Sequence, residues 1–183
     1  GAVITPFFVF SAKEIIQIIF GSQWVEAVPI FQVLAVSVMF QLVDSLSGAI
    51  FQSSNKIKYL FESGIICAIV NIVFLFLGLL VFGGVLNVAI CVAVSYVVNF
   101  FISTYYINRY AIGQNLLKFY ALMKVPILEI LISSIILFGV SFIRLHYIVA
   151  ACIKLVVSVL IAYVFIRKSG YVILSTKKNA KAE

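Results

Sequence analysis

Charge is scarce in this sequence of 183 residues: Asp, Glu, Lys and Arg make up 10% of it, against 64% apolar residues. Soluble domains average about 25% charged and about 45–50% apolar. With a mean hydropathy of +1.24, too few polar side chains remain to wet the surface of a chain this size. A cytosolic enzyme, a nucleic-acid-binding domain and a disordered segment are excluded together. Histidine occurs once, at His146, and cysteine three times, at Cys67, Cys91 and Cys152. The cysteines all fall in apolar runs without CxxC spacing, so a disulfide framework and a zinc site both lack support. Also missing are GxSxG, HExxH, a P-loop and any carboxylate pair with a nearby histidine. The expectation is a protein that is not an enzyme and uses no cofactor or metal. An initiator Met and the basic start of a signal peptide are lacking too, and Gly1 leads straight into AVITPFFVF. That start is read as the interior of a longer protein, of which this is a C-terminal piece.

What the sequence does have is a series of long apolar runs. A helix needs about 20 apolar residues to cross the hydrocarbon. Five stretches meet or approach that length: 27–51 with Asp44, 59–82 with Glu62, 85–107 without charge, 126–143 with Glu129, and 147–166 with Lys154. Runs such as IVFLFLGLLVF are apolar on every face, unlike the period-two strands of a membrane barrel. The expected fold is an all-α integral membrane protein, a polytopic helix bundle. Residues 1–20 are expected to be the end of a truncated transmembrane helix running into an outer turn, with Pro6 inside it and Lys13 and Glu14 near its exit. Residues 21–166 hold the five spans, and 167–183 form a basic tail.

If successive spans alternate, ten of the thirteen Lys and Arg residues collect on one side: Lys56, Lys58, Arg109, Lys118, Lys124, Arg167, Lys168, Lys177, Lys178 and Lys181. Arg144 and Lys13 fall on the other side, and Lys154 lies within a span. Cations are retained on the cytoplasmic face, so the C-terminus and the linker 109–124 are expected in the cytoplasm. The net charge of +7 is thereby a topology signal rather than the mark of an anionic ligand. Leu116, Tyr120 and Met123 share one helical face of the linker, which suits a segment lying along the inner surface. Tyr59, Tyr105, Tyr106, Tyr110 and Tyr163 fall near span ends, where a ring with a polar tip is at home.

In lipid, small and polar residues repeated every three or four positions mark the faces that touch other helices or a cavity. Ser37, Gln41, Asp44 and Gly48 form such a stripe in the first full span. The third span carries Asn87, Cys91, Ser95, Asn99 and Ser103 at a constant spacing of four. Ala151, Lys154, Ser158 and Ala162 share a face of the last span, and Gly64, Asn71 and Gly78 recur at spacing seven in the second. Two readings fit these faces: close packing with interhelical hydrogen bonds, or the lining of a hydrophilic chamber. A charge near the bilayer centre costs roughly 2.5–3.5 kcal/mol even on insertion scales, which singles out Asp44 and Lys154. They lie about six and about twelve residues from the cytoplasmic ends of their spans, a difference in depth of roughly 9 Å. A direct pair is possible but not required. Glu62 and Glu129, near their helix ends, are expected to reach water. The candidate substrate path comprises Lys154, Asp44, Gln41, Asn99 and, at the cytoplasmic mouth, Arg109.

At residues 15–35 the sequence reads IIQIIFGSQWVEAVPIFQVLA. Phe20, Gly21, Trp24, Ala27, Phe31, Gln32, Leu34 and Ala35 there resemble the polysaccharide transporter family, the Wzx-type oligosaccharide flippases of the MOP exporter superfamily. That family carries a Phe/Tyr-Gly-x-x-Trp turn followed by a helix opening of the form "hFQhLA". Gly21 is expected to end a helix in a left-handed conformation, and Trp24 to anchor the turn at the outer interface. The later order also resembles the family: a polar link at 53–56, an Asn-containing helix, a Gly-rich break at Gly83 and Gly84, a basic linker and two final spans. The break departs from the usual Gly-x-x-Gly-Ala-Ala form, with Asn87 where a small residue is common. The resemblance implies most of the second lobe of a two-lobe MOP/MATE-like transporter in the cytoplasmic membrane of a bacterium. Its implied partners are a lipid-pyrophosphate-linked oligosaccharide, membrane lipids and the N-terminal lobe of the same protein, with no nucleic acid. The alternatives are a cation-coupled multidrug exporter of the same superfamily, with Asp44 as coupling carboxylate, and a membrane-embedded glycan polymerase or acyltransferase.

Overall fold

The computed structural model of the chain describes residues 1–113, 123–142 and 146–169. Leu116 and Tyr120 of the linker face, Lys118, Arg144 and the tail cations Lys177, Lys178 and Lys181 lie outside the described residues. Among those described, every regular element is helical. Five helical runs are long and apolar enough to cross a membrane: Ser22–Ser53, Ile57–Phe82, Val85–Ile112, Lys124–Ser141 and Tyr147–Arg167. The chain is a multi-pass helical membrane protein.

The first twenty residues form two helices rather than one, α1 (Ile4–Phe10) and α2 (Ala12–Ile19), separated at Ser11 with φ −104° and ψ 9°. Gly21 then turns the chain at φ 88° and ψ 171°. The φ is positive, as expected, but the ψ is extended rather than left-handed helical, a combination open essentially to glycine. A 3₁₀ turn over Ser22–Ala27 follows, closed by Trp24 N–H donating to the Gly21 carbonyl at 3.2 Å. The Phe20 and Trp24 rings sit 6.3 Å apart beside it.

Helix α3 (Val28–Ser45) begins with Pro29 in its first turn, where no N–H is needed. It breaks at Leu46 and resumes as α4 (Ser47–Ser53). Just before the break Ser45 Oγ donates to the Leu42 carbonyl at 2.7 Å, the kind of back-bonding that bends helices. Helix α5 (Ile57–Leu77) ends in a π turn over Gly78–Phe82, and Gly83 (φ 61°) and Gly84 (φ 79°) reverse the chain into α6 (Val85–Tyr106). A second π turn, Ile107–Ile112, widens the end of α6 and stops at Gly113 in a left-handed cap. Helices α7 (Lys124–Ser141) and α8 (Tyr147–Ser169) complete the described chain.

Helix α6 lies between α5 and α3. On its other flank α3 carries α1, which leans on α7, while α2 lies against α8 and α7 packs on α8. The broken first helix is thus wedged between the α3–α6 layer and the last two helices. Between α5 and α6 the backbones approach closely at one point. A Cβ added at Gly78 would lie 2.9 Å from Val88 Cα and 3.3 Å from Cys91 Cβ, so the two backbones meet where a glycine permits it. Farther along, Asn71 Oδ1 accepts from Ser95 Oγ at 2.8 Å and from Asn99 Nδ2 at 2.9 Å. Cys67 Sγ and Ser103 Oγ are 3.9 Å apart. Two members of the expected stripes depart from this. Nothing lies within 4 Å of a Cβ built on Gly64. Exposed Asn87 turns away from α5 and donates to the Gly83 and Phe82 carbonyls at 2.8 and 3.3 Å, tying the hairpin itself.

Candidate functional site

The break at Ser11 is where the structure concentrates its buried polar chemistry. Lys154, on α8, is the most buried charged residue among those described, at 2% exposure. Its ammonium donates to the Phe10 carbonyl and to Glu14 Oε1, both at 2.6 Å. Phe10 closes α1 and Glu14 lies in the first turn of α2, so one side chain from the last helix bridges both sides of the break. One turn further along α8, buried Ser158 donates to the Val3 carbonyl at 3.3 Å. The polar face expected on this helix therefore docks on the first helix, with Lys154 and Ser158 at its centre.

Glu14, expected near the exit of the first helix, turns inward there. It is the partner of the buried lysine, and its side chain is 15% exposed. Depth explains the pairing. Glu14 precedes Phe20 by six residues, and Lys154 follows Tyr147 by seven, so both lie roughly 9–11 Å from the same end of the bundle. Asp44, counted from the other end, is at a different level, and among the described residues no contact joins it to Lys154. The arithmetic of span depth carried the signal for Glu14 once residues 1–20 are treated as part of the bundle.

The break is also held from the α3 side. Gln32 Nε2 donates to the Val9 carbonyl at 3.0 Å, and Phe31 meets Phe8 edge to face at 6.0 Å. These are two residues of the "hFQhLA" pattern, and here they dock α3 onto α1. Ser11 Oγ, at the break, and Glu14 Oε2, in the first turn of α2, are both buried and have no hydrogen-bond partner among the described residues.

The other candidate residues engage different helix contacts. Asp44 is half-buried next to the α3–α4 break. Its Oδ1 is buried without a partner among the described residues, and it lies within electrostatic reach of Cys67 on α5. Exposed Gln41 donates to Ser37 Oγ at 2.9 Å and lines a cleft of about 570 Å³ between the first helix, α3 and α6, with Phe8, Phe31, Val38 and Tyr96 on its walls. Asn99 is buried in the α5–α6 contact, where its amide nitrogen is bonded to Asn71 and its Oδ1 has no partner among the described residues. Arg109 is exposed in the π turn that ends α6, beside Tyr110, whose ring stacks on Tyr59 at 4.0 Å. Nearby Asn108 is 1% exposed, with Nδ2 bonded to the Thr104 carbonyl and Oδ1 unpartnered among the described residues. No sequence signal marked Asn108, because the spacing of four ends at Ser103 and the π turn resets the helical phase. Glu62 pairs with Lys58 at the same end of the bundle. Among the described residues no group of three His, Cys, Asp or Glu side chains could hold a metal ion.

In an alignment 166 residues long that covers 85% of the chain, it is 29% identical to the Teichuronic acid biosynthesis protein TuaB of Bacillus subtilis (strain 168). It spans about a third (32%) of the length of that relative. No protein-family model and no solved structure matches the chain.

Proposed function

We propose that this chain is part of a transporter that moves lipid-pyrophosphate-linked oligosaccharide units across the cytoplasmic membrane of a bacterium for the synthesis of surface polysaccharide. The observation that carries this reading is the similarity to a teichuronic acid biosynthesis protein over 85% of the chain, in a protein with five membrane-spanning helices. The Phe20–Ala35 pattern supports it. So does the physics of the task, because a sugar head group needs a polar path while its lipid tail stays in the bilayer. In this reading the described helices belong to the second of two lobes, the rest of the protein supplies the first, and the basic end of the bundle faces the cytoplasm. Gln41 and Tyr96 supply hydrogen-bonding groups to the cleft beside the first helix, and Arg109 attracts the pyrophosphate at the cytoplasmic mouth.

The test is movement of a fluorescent lipid-linked oligosaccharide between leaflets of vesicles containing the full-length protein. The expected result is transfer well above that of protein-free vesicles. Absence of transfer, in vesicles whose protein instead exports a cationic dye down an ion gradient, would overturn the reading in favour of a multidrug exporter.

A further inference from the structure

We propose that the Glu14–Lys154 ion pair is a releasable latch, which holds the break of the first helix closed against α8 and whose opening lets α1 and α2 change their mutual angle. The geometry is that of a clasp. Lys154 Nζ reaches the last carbonyl of α1 and the carboxylate in the first turn of α2 at the same distance, 2.6 Å. The two halves cannot rotate about Ser11 without losing one of these bonds. From the opposite side Gln32 grips only α1, through the Val9 carbonyl. Helix α1 is therefore anchored to α3, whereas α2 is tied across the break by Lys154.

A fixed strut would be built otherwise. A buried ion pair is often no more stable than apolar side chains of the same volume, and its best-attested use is to specify a register or a switch. Among the described residues the hydroxyl of Ser11, at 0% exposure, has no partner, and neither has the second oxygen of Glu14. A buried polar atom without a partner is costly, so the closed arrangement carries a penalty that an opened break would relieve. Other charges near the pair are few. Lys13 adjoins Glu14 but is exposed, and the stretches of α8 on either side of Lys154 carry no further charge from Tyr147 to Ile166.

The test does not depend on the cargo. In the full-length protein in membrane vesicles, Cys67, Cys91 and Cys152 are replaced by Ala and Ser11→Cys is introduced as reporter, with Ser37→Cys, at 1% exposure in α3, as control. The rate of modification by a small water-soluble methanethiosulfonate is then read. With the latch intact both thiols are expected to react slowly. Glu14→Gln and Lys154→Met should each speed reaction at position 11 at least tenfold without changing position 37. Should the single variants fail to accumulate, the double variant Glu14→Gln/Lys154→Met, which leaves no unpaired charge, takes their place and should react fast. Slow reaction in the double variant, or equal acceleration at position 37, would overturn the proposal and leave a static strut or a generally loosened bundle.

Discussion

Between α5 and α6 the backbones meet over Gly78, and the side-chain contacts are neutral, Asn71 to Ser95 and Asn99. Between α8 and the first helix the contact is an ion pair laid across a helix break. Both contacts lie within the apolar layer, where lipid competes with side chains and hydrophobic burial gives helices little reason to associate. The first contact is made of many small gains. Neutral hydrogen bonds between membrane helices average about 0.6 kcal/mol each, and close packing adds dispersion along the whole seam. The second concentrates its energy in two groups that each need the other. A contact of the first kind is hard to abolish with one substitution, and a contact of the second kind is easy to abolish but also easy to operate.

The comparison is broken most severely at Lys154. Lys154→Met leaves the Glu14 carboxylate buried without its counter-charge, and removal of one partner of a buried pair costs about 3–5 kcal/mol. The unfolding midpoint in mixed detergent micelles is expected to fall accordingly, and Glu14→Gln to lower it less. The double variant should recover most of the loss, since the two effects share one interaction. A double variant as unstable as Lys154→Met would mean that the bond to the Phe10 carbonyl, not the pair, carries the energy.

At the other contact, Gly78→Val is the harshest single change. Its Cβ must lie 2.9 Å from backbone at Val88, which no rotamer change relieves, and overpacking of this kind costs about 1–3 kcal/mol. Gly64→Ala, one of the same spacing-seven stripe but facing open space, should be neutral or stabilising by up to about 1 kcal/mol through helix propensity. The same unfolding assay separates them. Equal losses at both glycines would show that the stripe as a whole, and not the one close approach, holds α5 to α6. Asn71→Ala removes two hydrogen bonds at once and should cost about 1 kcal/mol, less than either partner of the ion pair.

These two contacts were unequally legible in the sequence. The α5–α6 seam is written in the spacing of Cys91, Ser95, Asn99 and Ser103, because a straight helix converts a period of four into one face. Gly78 and Asn71 supply the matching face on the partner. The Lys154 contact is half written. The lysine stands out because a charge in a span is costly, but its partner lies in a segment that reads as a helix end, and no periodicity shows that this segment bends at Ser11. A break is a tertiary event: Lys154, Glu14 and Gln32 stabilise it from three different helices, 18 to 140 residues apart in the chain. Asn108 was hidden for a related reason, since a π turn shifts the phase on which stripe reading depends.

The smallest expected effect sharpens the comparison by changing only the surroundings of an ion pair. Lys58 and Glu62 lie one turn apart on α5 with Nζ and Oε1 at 3.7 Å, and their side chains are 80% and 41% exposed. The charges are of the same kinds as those of Lys154 and Glu14, the gap is wider, and water reaches both. The lysine also precedes the glutamate, the less favourable order along a helix, where such pairs contribute about 0.2–0.5 kcal/mol. Lys58→Ala should therefore shift stability by no more than about 0.5 kcal/mol, roughly a tenth of the effect at Lys154, and added salt should leave the variant and the parent still closer together. If instead Lys58→Ala cost as much as Asn71→Ala, burial would not be what separates the two ion pairs, and the basic end of α5 would have to be held by a partner beyond Glu62.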